Sequence, residues 1–243
     1  HGNAEFGWPR GYVTAYDAQN GRMLWRFFTV PGNPKDGFEN KAMEMAAKTW
    51  SGEWWKYGGG GTVWNALTYD AELNRIYIGT GNGTPPASKE RDPSGGDNLF
   101  VASIVALNAD TGEYIWHYQL NPAETWDYDA AGNMQLTTAT IGGVPRRILM
   151  QASKNGFFYV IDRDTGKLLS AEKFAKVTWA NRIDIETGRP VESLNARTDP
   201  FGKDIWPSAI GAHSLQPMAF NPRYQLVYIP VIDEGAERNS ASL

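Results

Sequence analysis

The distribution of apolar residues along the chain predicts many short β-strands. Brief runs of apolar and β-branched residues are separated by Gly, Asn, Asp and Pro, which is typical of strands joined by turns. Residues 38–50 are an exception, because Ala, Met, Glu and Lys dominate there and favour a helix. Residues 171–210 carry scattered Pro, Asn and Asp, and we expect little regular structure in them. The predicted strands are 12–16, 24–28, 66–69, 75–79, 103–107, 114–118, 147–151, 157–161 and 226–231.

An internal repeat organises these strands. The frame Ala-x-Asp-x-x-x-Gly-x-x-x-Trp, with small variations, occurs at residues 15–25 and 106–116, and at 160–170 with Ser in the Trp position. A second pattern of two apolar strands recurs at 67–78 and 218–229. Asp or Asn can bond its own turn and Gly can take a positive φ, so each frame predicts strand, turn and strand. The Trp that follows the turn is expected to pack between neighbouring units.

Repeated units of about 50 residues, each with several strands, are typical of β-propeller blades. The chain holds about four such units, and a closed propeller commonly has about four to eight blades. We therefore predict an all-β fold in which residues 1–243 are one propeller domain, incomplete at both ends. The opening His1-Gly2-Asn3, without Met, agrees with that expectation.

The composition excludes several classes of function. The 243 residues include 23 Lys+Arg and 27 Asp+Glu, giving a net charge of −4, and no basic cluster indicates a nucleic-acid partner. No apolar run is long enough to span a membrane. The chain has no Cys, which excludes internal disulfides, Cys-ligated metals, thiol nucleophiles and covalently attached c-type haem.

Two glycine-rich segments could serve structure or binding. Residues 58–61 are all Gly, and residues 79–83 read Gly-Thr-Gly-Asn-Gly. Neither continues into Lys-Ser or Lys-Thr, so a phosphate-binding loop is excluded. The remaining interpretations are a tight connection in a crowded sheet and a main chain that closely approaches a flat ligand.

Paired carboxylates stand at residues 126–129, which read Trp-Asp-Tyr-Asp. In an extended segment Asp127 and Asp129 point to one side and the two aromatic side chains to the other. One interpretation is a solvated loop with a turn-capping Asp. The other is a hard cation held by oxygen ligands, to which Glu5 and Asn82 could contribute.

Other polar residues give weaker signals. Lys154 interrupts an uncharged stretch and is either the tip of an exposed hairpin or a cation aimed at an anionic or carbonyl ligand. His117 and His213 are interpreted as structural, and no nucleophile motif is present.

Six motifs occur in a fixed order along the chain. They are residues 2–11, Gly-Gly-Gly-Gly-Thr-Val-Trp at 58–64, Gly-Thr-Gly-Asn-Gly at 79–83, Trp-Asp-Tyr-Asp at 126–129, Lys-Asn-Gly-Phe-Phe at 154–158, and Gly-Ala-His with Gln-Pro-Met at 211–218. Together they resemble those of the pyrroloquinoline-quinone (PQQ) dependent alcohol dehydrogenases, and the resemblance covers nearly the whole chain. It implies an eight-bladed propeller with Trp-docking motifs and PQQ near its axis, above a metal ion.

The resemblance also implies contacts to PQQ. Trp64 matches the indole that stacks on one face of the quinone, with Thr62 beside it near the cofactor edge. Lys154 matches the cation that contacts the quinone oxygens. Asn3 and Ala4 fall where the main chain approaches PQQ.

The metal ligands implied by the resemblance are Glu5, Asn82, Asp127 and Asp129. Family members that use lanthanides are similar to this sequence in having an extra Asp at the position of Asp129. Three carboxylates balance a trivalent ion better than a divalent one, so a lanthanide is favoured and calcium is the alternative.

The implied function is oxidation of a small primary alcohol to an aldehyde. Hydride passes to PQQ, the metal acts as a Lewis acid, Asp127 is the general base, and a cytochrome c accepts the electrons. The resemblance places such a protein in the periplasm and allows it to form a homodimer. This segment alone is expected to be inactive. The alternatives are a non-catalytic propeller scaffold and a quinoprotein that acts on sugars or polyols.

Overall fold

The computed structural model describes residues 8–65, 67–194, 196–197 and 204–237. It divides into two compact units, His1–Ala131 and Gly132–Leu243. The elements are mainly β-strands, so the predicted all-β class is confirmed. The prediction of a single domain over residues 1–243 stays a prediction.

The first unit centres on a four-stranded antiparallel sheet in the order β4-β5-β7-β8. Two smaller pairs, β1-β2 and β3-β6, accompany it. The chain leaves the four-stranded sheet after β5 and returns at β7, and this excursion carries one of the glycine-rich segments. The elements are β1 (Tyr12–Tyr16), β2 (Met23–Phe28), α1 (Lys41–Ala47), β3 (Gly59–Gly60), β4 (Thr68–Asp70), β5 (Arg75–Gly79), β6 (Gly83–Thr84), α2 (Ser88–Arg91), β7 (Ser103–Asn108) and β8 (Tyr114–Gln119), with 3-10 turns at Pro34–Asp36 and Trp54–Tyr57.

The second unit also contains a four-stranded antiparallel sheet, in the order β12-β11-β10-β9, with the pairs β13-β14, β15-β18 and β16-β17. Gly142 and Gly143 join β9 to β10, and their φ values of 59° and 80° suit a two-residue hairpin turn. The strands are β9 (Gln135–Ile141), β10 (Val144–Ala152), β11 (Phe157–Asp162), β12 (Leu168–Lys173), β13 (Ala180–Ile183), β14 (Pro190–Glu192), β15 (Asp204–Ile205), β16 (Ala219–Asn221), β17 (Leu226–Tyr228) and β18 (Ala236–Glu237).

The repeated turns form as predicted. In the second repeat, Asn108 Oδ1 accepts hydrogen bonds from the main-chain N–H groups of Asp110 and Thr111, at 2.9 and 3.0 Å. Asp162 Oδ1 accepts the corresponding bonds in the third repeat, from Asp164 and Thr165. In each turn, the short side chain of the first residue therefore accepts hydrogen bonds from the main chain of the turn and stabilises it locally.

Trp25 docks on the turn of the following repeat. Its indole Nε1 donates to the main-chain oxygen of Ala109 at 3.1 Å. A Cβ atom placed on Gly112 would lie 2.6 Å from the Trp25 ring, so only Gly leaves room for the indole. The predicted role of this Trp in packing neighbouring repeats is confirmed.

Two sequence predictions need correction. The helix predicted over 38–50 is shorter and spans Lys41–Ala47; it begins at Lys41 because the side chain of Asn40 caps the N-terminus and accepts from Met43 N at 3.0 Å. The prediction of little regular structure over 171–210 is wrong where β13 and β14 form a hairpin. Asp184 Oδ1 accepts from Thr187 N at 2.9 Å, so this hairpin uses the turn chemistry of the repeats.

The core of the first unit lies under the four-stranded sheet. Phe27, Phe100 and Leu107 are buried in one cluster with Met43 of α1. Within the described ranges, no helix has the length and apolar character needed to cross a membrane.

Candidate functional site

The two glycine-rich segments of the first unit lie side by side. Strands β3 and β6 pair directly, and the chain beyond them continues the contact. Gly61 N donates to Asn82 O at 2.9 Å, and Gly81 N donates to Thr62 O at 2.8 Å. All four glycines of 58–61 have φ between 66° and 83°, a region that other residues enter only with strain. The run of Gly is therefore required by this close approach of two main chains.

Gly81 marks the point where the predicted site residues converge. A Cβ atom on Gly81 would lie 3.0 Å from Asp129 Oδ1, 3.1 Å from Trp64 Nε1 and 3.2 Å from Thr62 O. Asp129 Oδ1 also accepts a hydrogen bond from Asn82 N at 2.6 Å. The structure thus brings Thr62, Trp64, Asn82 and Asp129 together around one glycine.

The loop that carries both aspartates departs from the extended conformation expected for it. Asp127 is half-buried and has a φ of 66°, whereas Asp129 is only 6% exposed. The expectation that simple strand alternation orients both carboxylates is therefore wrong. The two aromatic side chains do share a side, since the rings of Trp126 and Tyr128 stack with their centroids 5.9 Å apart. A solvated loop is excluded for Asp129 by its burial.

The buried side chain of Glu124 binds the main chain of this loop, a role that was not predicted from the sequence. Its side chain is 1% exposed, and its Oε1 accepts from Trp126 N at 2.6 Å and from Tyr128 N at 3.0 Å. Burial raises the pKa of the Glu124 carboxyl, opposed by the N–H groups and by the charge of Arg91. The sequence does contain one indication of this role: Glu124 lies just before the Trp-Asp-Tyr-Asp motif, close enough for its side chain to accept hydrogen bonds from the main chain of the same turn.

Arg91 connects the same loop to the glycine-rich excursion. It is 1% exposed and its Nη1 donates to Pro85 O at 2.6 Å, while its Nη2 donates to Glu124 O at 2.5 Å. A Cβ atom on Gly83 would overlap the guanidinium, so the glycine makes room for it. This buried cation ties the segment after Asn82 to the loop before Asp127.

Lys154 belongs to the second unit, in the turn between β10 and β11. It is 8% exposed, and its main-chain oxygen accepts from Ala212 N at 2.9 Å. Gly211 packs against the Lys154 side chain, where a Cβ atom would lie 2.6 Å from Lys154 Cβ. The interpretation of Lys154 as the tip of an exposed hairpin is therefore wrong.

The histidines have structural contacts, as predicted. His117 Nδ1 lies 2.8 Å from the Tyr114 hydroxyl, and burial lowers the pKa of His117 to about 4. His213 Nδ1 lies 3.0 Å from Ala152 O, and burial also lowers its pKa. Within the described part of the chain, Ser153 Oγ is buried without a hydrogen-bond partner.

Comparison with known families identifies this arrangement. Residues 1–201 match the family model of the PQQ glucose/ethanol/alcohol dehydrogenase β-propeller domain. The chain belongs to this family. The four-stranded sheets are therefore propeller blades, and the predicted fold class is confirmed.

Individual members of the PQQ dehydrogenase family are similar over almost the whole chain. Quinohemoprotein alcohol dehydrogenase ADH IIB of Pseudomonas putida is 53% identical, over 95% of this chain and 33% of its own length. The crystal structure of quinohemoprotein alcohol dehydrogenase from Comamonas testosteroni superposes with a TM-score of 0.93 at 50% identity, over 96% of this chain and 35% of that one. A europium-containing methanol dehydrogenase superposes at 0.81 with 34% identity, over 95% and 41%. The chain thus spans about a third of the length of the first two relatives.

The structure does not describe three of the predicted site residues. Asn3, Ala4 and Glu5 lie outside the described residues. Among the residues that are described, no three His, Cys, Asp or Glu side chains cluster as a metal-binding group. The three-carboxylate ligand set, which includes Glu5, therefore stays a prediction.

The described residues nevertheless have the chemistry needed to bind PQQ and a metal ion, the groups that the PQQ dehydrogenase family uses. A Cβ atom on Gly81 would crowd the Trp64 indole and the Asp129 carboxylate, so glycine at this position lets the main chain pack closely against both side chains. The side chains of Asp127, Asp129 and Asn82 offer carboxylate and amide oxygens, the ligands that hard cations prefer.

Proposed function

We propose that the protein is a periplasmic PQQ-dependent alcohol dehydrogenase that oxidises a small primary alcohol to an aldehyde. The observation that carries the proposal is the convergence of Thr62, Trp64 and Asp129 on Gly81, with Asp129 bonded to Asn82 N at 2.6 Å. These residues come from segments far apart in sequence, and each one matches a family motif. Membership of the PQQ dehydrogenase family supports the cofactor and the reaction type.

In this proposal the cofactor is held by residues from several segments. Trp64 would supply an aromatic surface for PQQ, Thr62 would contribute a polar contact to it, and Lys154 would supply a cation for its quinone oxygens. The burial of Lys154 supports such a role, because its side chain does not project into solvent as it would at the tip of an exposed hairpin. Asn3 and Ala4 are proposed to add main-chain contacts to PQQ, as the family resemblance implies.

The proposed metal ligands are Glu5, Asn82, Asp127 and Asp129, and the proposed ion is a lanthanide. Three carboxylates and a neutral amide match a trivalent cation in charge and in their oxygen donors. The likeness to a europium-containing methanol dehydrogenase supports this choice over calcium.

Asp127 is proposed as the catalytic base. When bound, PQQ accepts the two electrons released by the alcohol, and the cation supplies Lewis-acid polarisation. Asp127 removes the proton of the alcohol hydroxyl, and its half-buried position limits competition from water. Asp127 has a φ of 66°, so the main chain at this residue is not extended.

The electrons are proposed to leave through a haem protein such as a cytochrome c. Two relatives named above are quinohemoproteins, which supports a haem acceptor. The chain itself has no Cys to attach such a haem covalently.

Replacement of Asp127 by Asn tests the proposed base. Asn keeps an oxygen at the same position but cannot accept the proton, so we expect kcat for dye-linked alcohol oxidation by the full-length, PQQ-loaded protein to fall at least about 100-fold. Asp36→Asn, at an exposed position, is the matched control and should leave kcat unchanged. Near-normal turnover by Asp127→Asn would refute the proposed function.

Replacement of Asp129 tests the proposed metal. The wild-type protein should bind and turn over with lanthanum in preference to calcium. Asp129→Asn removes one charge but keeps an acceptor for Asn82 N, so this preference should disappear, as it should in Asp129→Ala. Calorimetric titration of each metal into the protein provides a measurement independent of turnover. Equal affinity and activity with both metals in the wild type would reject the lanthanide assignment.

A further inference from the structure

The loop around Asp127 is held by a side chain that approaches from the protein interior. Residues 124–129 form no strand or helix, and within them Asp127 has a φ of 66°. A residue other than Gly held in that region costs free energy unless its surroundings stabilise it. Some feature of the surroundings must therefore stabilise this conformation.

Glu124 provides that stabilisation. Its Oε1 accepts hydrogen bonds from the N–H groups on either side of Asp127, from Trp126 at 2.6 Å and from Tyr128 at 3.0 Å. One oxygen that binds both flanking N–H groups draws the main chain into a tight turn around itself. Asp127 is the residue between these two N–H groups, so the main chain on both sides of it is fixed by one acceptor.

The position of Glu124 is itself strongly constrained. Arg91 Nη2 donates to Glu124 O at 2.5 Å, and Arg91 Nε donates to Asn98 Oδ1 at 3.1 Å. Glu124 and Arg91 are each 1% exposed, so neither can reorient into water. A rigid, buried acceptor suits a group that must hold a catalytic side chain within a fraction of an ångström.

From this geometry we infer that Glu124 is a positioning residue, which aims the Asp127 carboxylate by accepting both flanking N–H groups on one oxygen. This inference rests on the proposed role of Asp127 as the base. Because the requirement is an acceptor oxygen and not a charge, Gln should replace Glu124 and Ala should not.

The test compares Glu124→Ala and Glu124→Gln in the full-length, PQQ-loaded protein, with the exposed Glu113→Ala as control. We expect Glu124→Ala to lower kcat about 100-fold per folded molecule with little change in KM, since misplacement by about 1 Å has an effect of that size. Glu124→Gln should restore kcat to within about threefold of the wild type, and Glu113→Ala should match the wild type.

Hydrogen–deuterium exchange of the peptide that contains Trp126 and Tyr128 gives a measurement that does not depend on activity. Both amides should exchange faster in Glu124→Ala and at the wild-type rate in Glu124→Gln. If Glu124→Ala does not fold, Glu124→Asp replaces it, because the shorter side chain withdraws the acceptor oxygen by about 1 Å and should also lower kcat.

The outcomes separate this inference from the proposed function. An active Asp127→Asn would refute the proposed function. An inactive Asp127→Asn together with a fully active Glu124→Ala would refute only the positioning role. Loss of activity in Glu124→Gln equal to that in Glu124→Ala would also refute it, because the acceptor oxygen is still present in Gln.

Discussion

At the scale of single residues, buried polar side chains shape the candidate site. Arg91 and Glu124 are each 1% exposed, and both form hydrogen bonds to main-chain groups of the loops that carry the site. Buried polar groups are costly unless they are bonded, so each such bond restricts the main chain to one conformation. Neither residue has a sequence motif of its own, which explains why inspection of the chain did not find them.

Burial of His117 makes the free energy of unfolding depend on pH. Its pKa falls from 6.5 to about 4 in the folded protein because burial disfavours the charged form. Between these values the unfolded chain binds a proton that the folded protein does not, so His117 stabilises less as pH falls. This stability is fully present above pH 6.5 and is lost progressively below it.

We expect His117 to account for at most about 2 kcal/mol of the decrease in unfolding free energy between pH 7 and pH 5. His117→Gln keeps a hydrogen-bonding side chain near Tyr114 but cannot be protonated in this range, so it should lack that part of the decrease. Denaturant unfolding followed by Trp fluorescence at both pH values measures it. His213, whose pKa is lowered in the same direction, contributes to the remaining slope. An unchanged slope in His117→Gln would contradict the assignment.

At the scale of elements, the repeated turn serves two purposes. Its Asp or Asn closes the hairpin locally, and in the second repeat Gly112 also provides the surface on which Trp25 of the preceding repeat docks. Gly21 and Gly112 occupy the same place in two repeats, with φ values of 72° and 71°. A Cβ atom on Gly21 would meet nothing within 4 Å, whereas one on Gly112 would lie 2.6 Å from the Trp25 ring.

This pair of glycines separates the cost of a positive φ from the cost of lost docking. Gly21→Ala should lower the free energy of unfolding by about 1 kcal/mol through backbone strain alone. Gly112→Ala should lower it by at least about 1 kcal/mol more, because the added methyl displaces the indole. Thermal or denaturant unfolding of both variants measures the difference. Equal destabilisation would show that Trp25 docking contributes nothing to stability.

The hairpin of β13 and β14 shows what a repeat pattern can miss. Residues 184–188 read Asp-Ile-Glu-Thr-Gly and form the same capped turn as the Asp-Arg-Asp-Thr-Gly of 162–166. The surrounding Pro and Asn residues suggested irregular structure, but the local turn chemistry was sufficient to form a hairpin. Helix α1 shows the reverse, since composition favoured a helix over 38–50, whereas the helix spans only Lys41–Ala47 and begins after the cap at Asn40.

At the scale of the whole molecule, each compact unit contains one complete four-stranded sheet. Most predicted strands were confirmed within a residue or two, because short apolar runs bounded by turn residues have few alternative structures. The strand Gln135–Ile141 was missed, although the following Gly142-Gly143 pair is typical of a hairpin.

The sequence alone determined the all-β class, the repeat, the docking role of Trp25 and the family, since these depend on local turn chemistry and on motifs in order. It also identified Thr62, Trp64, Asn82 and Asp129 as candidates. Only the tertiary structure decided that these four meet around Gly81, that Lys154 is buried, and that Glu124 holds the loop of Asp127. The reason is physical: contacts between segments dozens of residues apart depend on how sheets and loops pack, and burial is a property of the packed molecule.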